Sequence, residues 1–212
     1  MNNIFSMDNA FFRFVGKVTD LIWLNILTLI CCLPLITAGA AISAMYAVLI
    51  KRVLNEEGTV TKPFFKAFKE NFKNSTMVWI PALIILLILS LNMYLIFQGV
   101  LDLYGNLYIV AGISIGIIGA AVLMFLNYAL PLFARYDSDA KQTMKNALLM
   151  MLAYFPRSLC MIVIWLFPLA LMMLSNVFLL FWFIYGLSFP GYFNAMLLGN
   201  IFVKTEEATE HE

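Results

Sequence analysis

The chain is poor in charge. Asp, Glu, Lys and Arg supply 12% of its 212 residues, against about 25% in an ordinary soluble domain. The net charge is +1, so no global field draws in nucleic acid and none is expected as a partner. Histidine occurs once, as His211 in the polar tail. No His, Cys and carboxylate group has metal-ligand spacing, so neither a metal nor another cofactor is expected. Of the three cysteines, Cys31 and Cys32 are neighbours in one apolar run and Cys160 lies in another. Adjacent helical residues point apart, so no disulfide framework or CxxC site follows. The GxSxG, HExxH, GxxxxGKS/T and helix-opening GxGxxG patterns are all missing. No catalytic residue is therefore nominated, and an enzyme is not expected. No positive segment, apolar stretch and cleavage site open the chain, so no removable signal peptide is expected.

Apolar side chains dominate instead. Hydrophobic residues make up 63% of the sequence and the mean hydropathy is +0.92. A compact soluble fold of this size has too much surface to hide that fraction. The expected class is an all-α, polytopic membrane protein forming a single membrane domain over residues 1–212, with the lipid bilayer as its first partner. Crossing about 30 Å of hydrocarbon takes about 20 apolar residues. Met77–Phe97, Leu107–Ala134, Ser158–Leu174 and Phe178–Phe202 meet that length. Leu21–Ile50 is long for one span and short for two, and Pro34 and Gly39 interrupt it, which divides it into Leu21–Leu35 and Ala40–Leu54. The second piece is short enough to be a re-entrant element.

Basic residues choose the threading. With six spans, one side holds Arg13, Lys17, Lys51, Arg52, Lys62, Lys66, Lys69, Lys73, Arg135, Lys141, Lys145, Arg157 and Lys204, which is every Lys and Arg in the chain. The loops at 34–39, 98–106 and 175–176 on the other side carry only Asp102. Both termini are then expected in the cytoplasm, in a bacterial cytoplasmic membrane.

The spans read as three hairpins, over about 5–54, 61–134 and 139–202, followed by a polar tail at 204–212. Each is expected to begin with an amphipathic helix lying in the headgroup plane. The first has Phe11, Phe14, Val15, Val18 and Ile22 opposite Arg13, Lys17 and Asp20. The second has Phe64, Phe65, Phe68 and Phe72 beside Lys62, Lys66, Lys69 and Lys73, with Thr61 as a cap and Pro63 in the first turn. The third has Met144, Leu148, Met151, Leu152 and Phe155 against Gln142, Lys145 and Asn146, with Lys141 nearby and Ser138 as a cap. Lys62, Lys66, Lys69, Lys73, Lys141 and Lys145 together form a candidate docking or headgroup surface. Small residues four apart, Ala40/Ala44, Gly112/Gly116/Ala120 and Gly191/Ala195/Gly199, mark candidate helix-packing faces. Even-numbered spans are therefore expected at the centre. Trp23, Trp79 and Trp165 are expected to form an aromatic belt at the starts of the odd spans.

The apolar cores of the spans hold no charged residue, which argues against a proton relay or a carboxylate-coupled carrier. Neutral polar residues are present, and Asn25, Ser43, Tyr46, Asn127 and Asn194 are the candidates for a polar cleft. Ordinary inter-helix hydrogen bonding is the competing reading of the same residues.

The segments Leu21-Ile-Trp23-Leu-Asn25, Leu33-Pro34-Leu-Ile-Thr37-Ala-Gly39-Ala-Ala, Tyr46, Lys51-Arg52 and Phe64-Phe-Lys-Ala-Phe68-Lys-Glu-Asn-Phe72 resemble the YesL-type family of bacterial integral membrane proteins, whose molecular function is undefined. Ala40 stands where that family often has proline. Members similar to this chain are often encoded beside carbohydrate ABC importers. The resemblance thus implies an accessory role in sugar or oligosaccharide uptake, with importer subunits as partners and a homo-oligomer left open. A stand-alone permease or channel for a small neutral solute, and a membrane scaffold or regulator without transport, are the rival expectations.

Overall fold

A computed structural model describes residues 10–54, 58–99, 107–136, 139–174 and 182–210. Regular structure among them is entirely helical: α1 (Ala10–Cys32), α2 (Ala38–Val53), α3 (Thr61–Phe97), α4 (Leu107–Arg135), α5 (Ala140–Ala153), α6 (Phe155–Leu174) and α7 (Ser188–Glu210), with a short helical stretch at 182–185. By length and composition, Val15–Cys32, α3 and α4 can each cross a membrane. The pair α5–α6, bent by 97°, forms a fourth broken or re-entrant candidate.

The first break falls where proline predicts it. Pro34 cannot continue the α1 ladder, and Leu33 to Thr37 turn the chain. The Thr37 hydroxyl points its proton at Cys31 O, 2.6 Å away at the end of α1, and at Pro34 O at 2.8 Å, which also accepts the Thr37 N–H at 3.0 Å. Helix termini need such donors because their last carbonyls have no helical partner.

The short helix α2 is the core of the molecule. Apart from Ile42, every residue from Ala38 to Ile50 is buried, and α2 packs against α1, α3, α4 and α7. Its Ala- and Gly-rich surface permits this close approach from several sides. At 16 residues it is about 24 Å long. Centrality therefore holds for the second helix and for α7, whose Gly191 meets Met45 and Leu49 and whose Gly199 meets Val53. Ala40, Ala44 and Ala195 are fully buried in the same region. It does not hold for the first half of α4. An added Cβ at Gly116 would meet nothing, and one at Gly112 would only graze the Met93 sulfur. Neighbouring Ile109, Val110, Ile113, Ile117 and Ile118 are exposed on a lipid-type surface. Spacing by four creates a smooth face, but it does not supply a partner for it.

Three interfacial helices were expected, and among the described residues one of those segments, α5, forms a helix separate from the one that follows it. The basic segment at 61–74 is continuous with the apolar stretch after it, as α3 runs unbroken for 37 residues with Pro81 inside it, about 55 Å along the helix. The segment before Leu21 likewise continues into α1. The polar run Asn74-Ser75-Thr76 lacks proline and glycine, so nothing ends the helix there. In the third unit Pro156 withholds a backbone donor, α5 stops at Tyr154, and α6 leaves at 97°. Thr61 is not the cap of α3, because Val60 occupies that position and the Thr61 hydroxyl instead accepts the Trp23 indole N–H at 2.9 Å. Pro63 does lie in the first turn. Asp139 holds the cap position of α5; Ser138 lies outside the described residues, as do Asp102, Ser175, Asn176 and His211.

The last expected span, Phe178–Phe202, is not one helix. It is interrupted at Gly186 and Leu187 before α7 begins. The three tryptophans also fail to form one belt. Trp23 bonds the first residue of α3, whereas the Trp79 indole N–H donates to Leu35 O at 2.8 Å. Those levels are 18 residues apart on α3, about 27 Å. Trp165 lies between them, against Tyr46.

Candidate functional site

The five polar candidates fall into three separate settings. Asn25, fully buried on α1, is a backbone clamp. Its Oδ1 accepts the amide N–H groups of Leu187 at 2.9 Å and Ser188 at 3.1 Å, and its Nδ2 donates to Phe183 O at 2.7 Å. The Ser188 hydroxyl returns a bond to Leu21 O at 2.7 Å. An interrupted helix in an apolar setting needs its freed backbone groups satisfied inside the protein, and Asn25 and Ser188 do this. Pro190 adds no demand, since the first turn of α7 has no use for its missing donor. The sequence Gly186-Leu-Ser188-Phe-Pro190 carried that break signal, hidden within a continuous apolar run.

Ser43 is also structural. Its hydroxyl donates to Leu130 O at 3.0 Å, one residue before the in-helix Pro131, tying α2 to α4.

Tyr46 and Asn127 are brought together. Both line a cavity of about 230 Å³ walled by Ile42, Trp79, Leu130 and Trp165 among others. The Asn127 amide is partly occupied by its own helix, donating to Leu123 O at 3.1 Å. The buried Tyr46 hydroxyl faces Asn194 and Trp165 but has no hydrogen bond of standard geometry. Asn194 reaches Met161 O only at 3.5 Å, and its Oδ1 is unpartnered. Asn194 and Ser43 do not line this cavity, and Asn25 belongs to a different part of the bundle.

The basic ends of the helices gather at one end of the molecule. Asp20 on α1 and Arg52 on α2 form an ion pair at 2.6 Å, and Arg52 also donates to Gly58 O at 2.6 Å. With Lys17 they edge an apolar groove of about 430 Å³ floored by Leu21, Leu24, Val48 and Leu49. Positions 20 and 52 lie nearly equidistant from the turn at 33–37, so hairpin register carried this pair in the sequence.

On the other side of α2 lies a polar cleft of about 360 Å³. Lys51 from α2, Lys62, Lys66, Glu70 and Asn71 from α3, and Arg135 from α4 border it. Lys66 and Glu70 are 3.9 Å apart and exposed. Lys69 and Lys73 are exposed on α3 outside the cleft, and Lys141 and Lys145 are exposed on α5. The six candidate docking lysines therefore divide, with two in the cleft, two on the outer face of α3 and two on the separate α5. The phenylalanine ladder packs along α3: Phe64 stacks on Phe68 at 6.3 Å and Phe68 meets Phe72 edge-on at 5.7 Å. Phe64 is buried and Phe72 exposed, so the ladder winds from core to surface. No group of metal-ligating side chains occurs among the described residues.

Residues 21–93 match the model of a family described as a protein of unknown function, DUF624. The stretch takes in the later part of α1, all of α2 and most of α3, and so includes Asn25, the Pro34 turn, the buried core helix and the basic end of α3. No curated protein and no solved structure matches the chain.

Proposed function

We propose that this chain is a non-catalytic, multi-pass membrane protein that docks a cytoplasmic-side partner through the basic, aromatic end of α3. One observation carries the reading. Residues 61–74 continue without a break into the apolar part of α3, so Lys62, Lys66, Lys69 and Lys73 ride on a helix whose length along its axis is about 55 Å, about 25 Å more than the hydrocarbon thickness. A basic helical extension beyond the bilayer suits partner contact better than a lipid anchor lying flat.

The threading that fits is three hairpins with both termini cytoplasmic. It is supported by the shared location of Lys17, Lys51, Arg52, Lys62, Lys66 and Arg135. This parity is the same whether the α1–α2 hairpin crosses the bilayer or turns back inside it. The partner class is the one the YesL-type resemblance implies, a carbohydrate ABC importer in a bacterial cytoplasmic membrane.

Crosslinking and gentle-detergent purification from native membranes test the reading. Importer subunits should accompany the wild type and be lost when Lys62, Lys66, Lys69 and Lys73 are all changed to Glu. Recovery of the wild type with no importer subunit overturns it. A second reading, passage of a small neutral solute, draws on the cavity shared by Tyr46 and Asn127. It requires proteoliposome flux that Asn127→Leu abolishes.

A further inference from the structure

We propose that the cleft where α2, α3 and α4 meet binds a phosphate group, presented either by a lipid headgroup or by a soluble phosphate ester. This goes beyond the docking reading and does not rest on it, since the cleft includes Lys51 and Arg135 from outside α3.

The lining is chemically distinct from the other large cavities. Those are walled mainly by Leu, Ile, Val and aromatic side chains, as lipid-facing crevices are. The cleft instead brings Lys51, Lys62, Lys66 and Arg135 from three helices to one border, with Glu70 as the carboxylate among its described lining residues. Glu70 sits at 3.9 Å from Lys66, a loose contact between exposed groups that neutralises little. Asn71, largely buried, adds an amide. Lysine is a point-charge binder of phosphate, and arginine offers a planar fork for the same anion.

The N-terminus of α3 opens on the same space, through Thr59, Lys62 and Pro63. It has no side-chain cap and no acidic residue in its first turn. The first amides of a helix have no helical acceptor and favour an anion. The carboxyl ends of α2 and α4 act in the opposite sense. Each helix end is worth about half an elementary charge, so two carboxyl ends and one amino end offset only part of the positive charge that Lys51, Lys62 and Lys66 bring. Arg135 is held in position beneath this cleft, over the rings of Tyr136 at 5.8 Å and Phe202 at 5.4 Å. A cleft of about 360 Å³ lies at the small end of ligand sites. It suits a phosphate with one attached polar group.

The full chain in phosphatidylcholine nanodiscs should be titrated with inorganic phosphate at ionic strength held constant with chloride, and thermal unfolding followed by tryptophan fluorescence. Phosphate should raise the midpoint saturably. Lys51→Gln and, independently, the exposed Lys66→Gln should each weaken the response about tenfold. Lys69→Gln/Lys73→Gln, outside the cleft, should leave it within about twofold. A response in these discs assigns the site to a soluble phosphate ester. If only nanodiscs containing phosphatidylglycerol stabilise the protein, and Lys51→Gln or Lys66→Gln removes that gain, the source is a lipid headgroup. No response to either probe, or an equal loss in the Lys69/Lys73 variant, overturns the site. Failure of importer co-purification leaves this titration unaffected, because Lys51 is not part of the docking helix.

Discussion

Gly39→Ala is the sharpest probe of the packing described here. Gly39 is the second residue of α2, and it lies directly against Trp79 and Ser75 of α3. A methyl placed there would run into Trp79 Cβ, would lie 2.7 Å from Trp79 Cγ and would sit 3.2 Å from Ser75 O. None of these atoms is the free end of a flexible chain. Trp79 is further pinned, since its indole N–H donates to Leu35 O in the α1–α2 turn. The helices must therefore separate, and overpacking of this kind costs about 1–3 kcal/mol. The opposing gain, from replacing a helical glycine by alanine, is at most about 1 kcal/mol. A net loss of about 1 kcal/mol remains, which for a chain of this length lowers the unfolding midpoint by about 2–4 °C. Gly116→Ala is the matched control. It has the same chemistry and open space around the new methyl, so it should raise stability by about 0.5–1 kcal/mol. Tryptophan-fluorescence melts of the two variants in one detergent read the difference. If Gly39→Ala melts at or above the wild type, the α2–α3 contact is not as described. If Gly116→Ala is the damaging change, the glycine seam on α4 is occupied after all.

Further expectations concern other links in the same argument. Asn25→Leu strands two amide donors and one carbonyl, at about 1–3 kcal/mol each, and should cost at least about 3 kcal/mol; Asn127→Leu, whose amide serves only its own helix, should cost under about 1 kcal/mol in the same melts. Arg52→Gln breaks the ion pair with Asp20, in which the two side chains are 23% and 38% exposed, and the hydrogen bond to Gly58 O, so the pair's share should be only about 0.2–1 kcal/mol and should shrink in high salt; a loss that salt leaves unchanged would assign the effect to the Gly58 bond instead. In a chain with its native cysteines changed to serine, an impermeant maleimide applied from outside should modify Gln98→Cys and leave Ile36→Cys untouched, whereas equal labelling of both would show that the α1–α2 turn reaches the outer face.

Much of the fold was legible because lipid solvent makes composition directly informative. Pro34 marked the first break, and the apolar lengths of α3 and α4 were plain. The separate α5 followed from its amphipathic pattern, and Pro156, which that pattern did not single out, supplies the break. The remaining features depend on contacts that periodicity does not encode. The amphipathic starts of α1 and α3 look like separate interfacial helices, yet only a breaker makes them so, and neither has one. The interruption at Gly186 vanished into an apolar run because hydropathy counts side chains, while the break is a property of the backbone. Asn25 could be singled out as a buried amide in an apolar helix, but its partner lies more than 150 residues away. The grouping of Asn25, Ser43, Tyr46, Asn127 and Asn194 into one cleft assumed that polar residues seek each other. Most of them seek backbone carbonyls and amides instead, which are far more numerous inside a helical bundle. The cationic cleft was half visible, as Lys62 and Lys66; Lys51 and Arg135 joined it only when the helix ends were placed side by side.

The two hairpins of the N-terminal half differ in reach, and that difference constrains how the bilayer is met. The α1–α2 turn touches α3 at Trp79, and α3 continues 18 residues further, about 27 Å, with α4 beside it. That upper α3–α4 hairpin exposes Ile84, Ile85, Leu87, Ile88 and Leu91, together with Ile109, Val110 and Ile113, and both helices are long and apolar enough to cross a membrane. Residues 77–97 alone measure about 31 Å, a length that matches a bilayer's hydrocarbon. The α1–α2 turn meets α3 near the start of that stretch, at Trp79. Its tip is nonetheless apolar and bare: Leu33, Leu35 and Ile36 are 80%, 63% and 58% exposed. Whether that exposed apolar tip meets lipid or the outer face is what the paired Gln98→Cys and Ile36→Cys labelling reads. The same geometry explains why α2 is both short and buried. It need not present a lipid-facing length of its own, and it can serve as the post around which α1, α3, α4 and α7 pack.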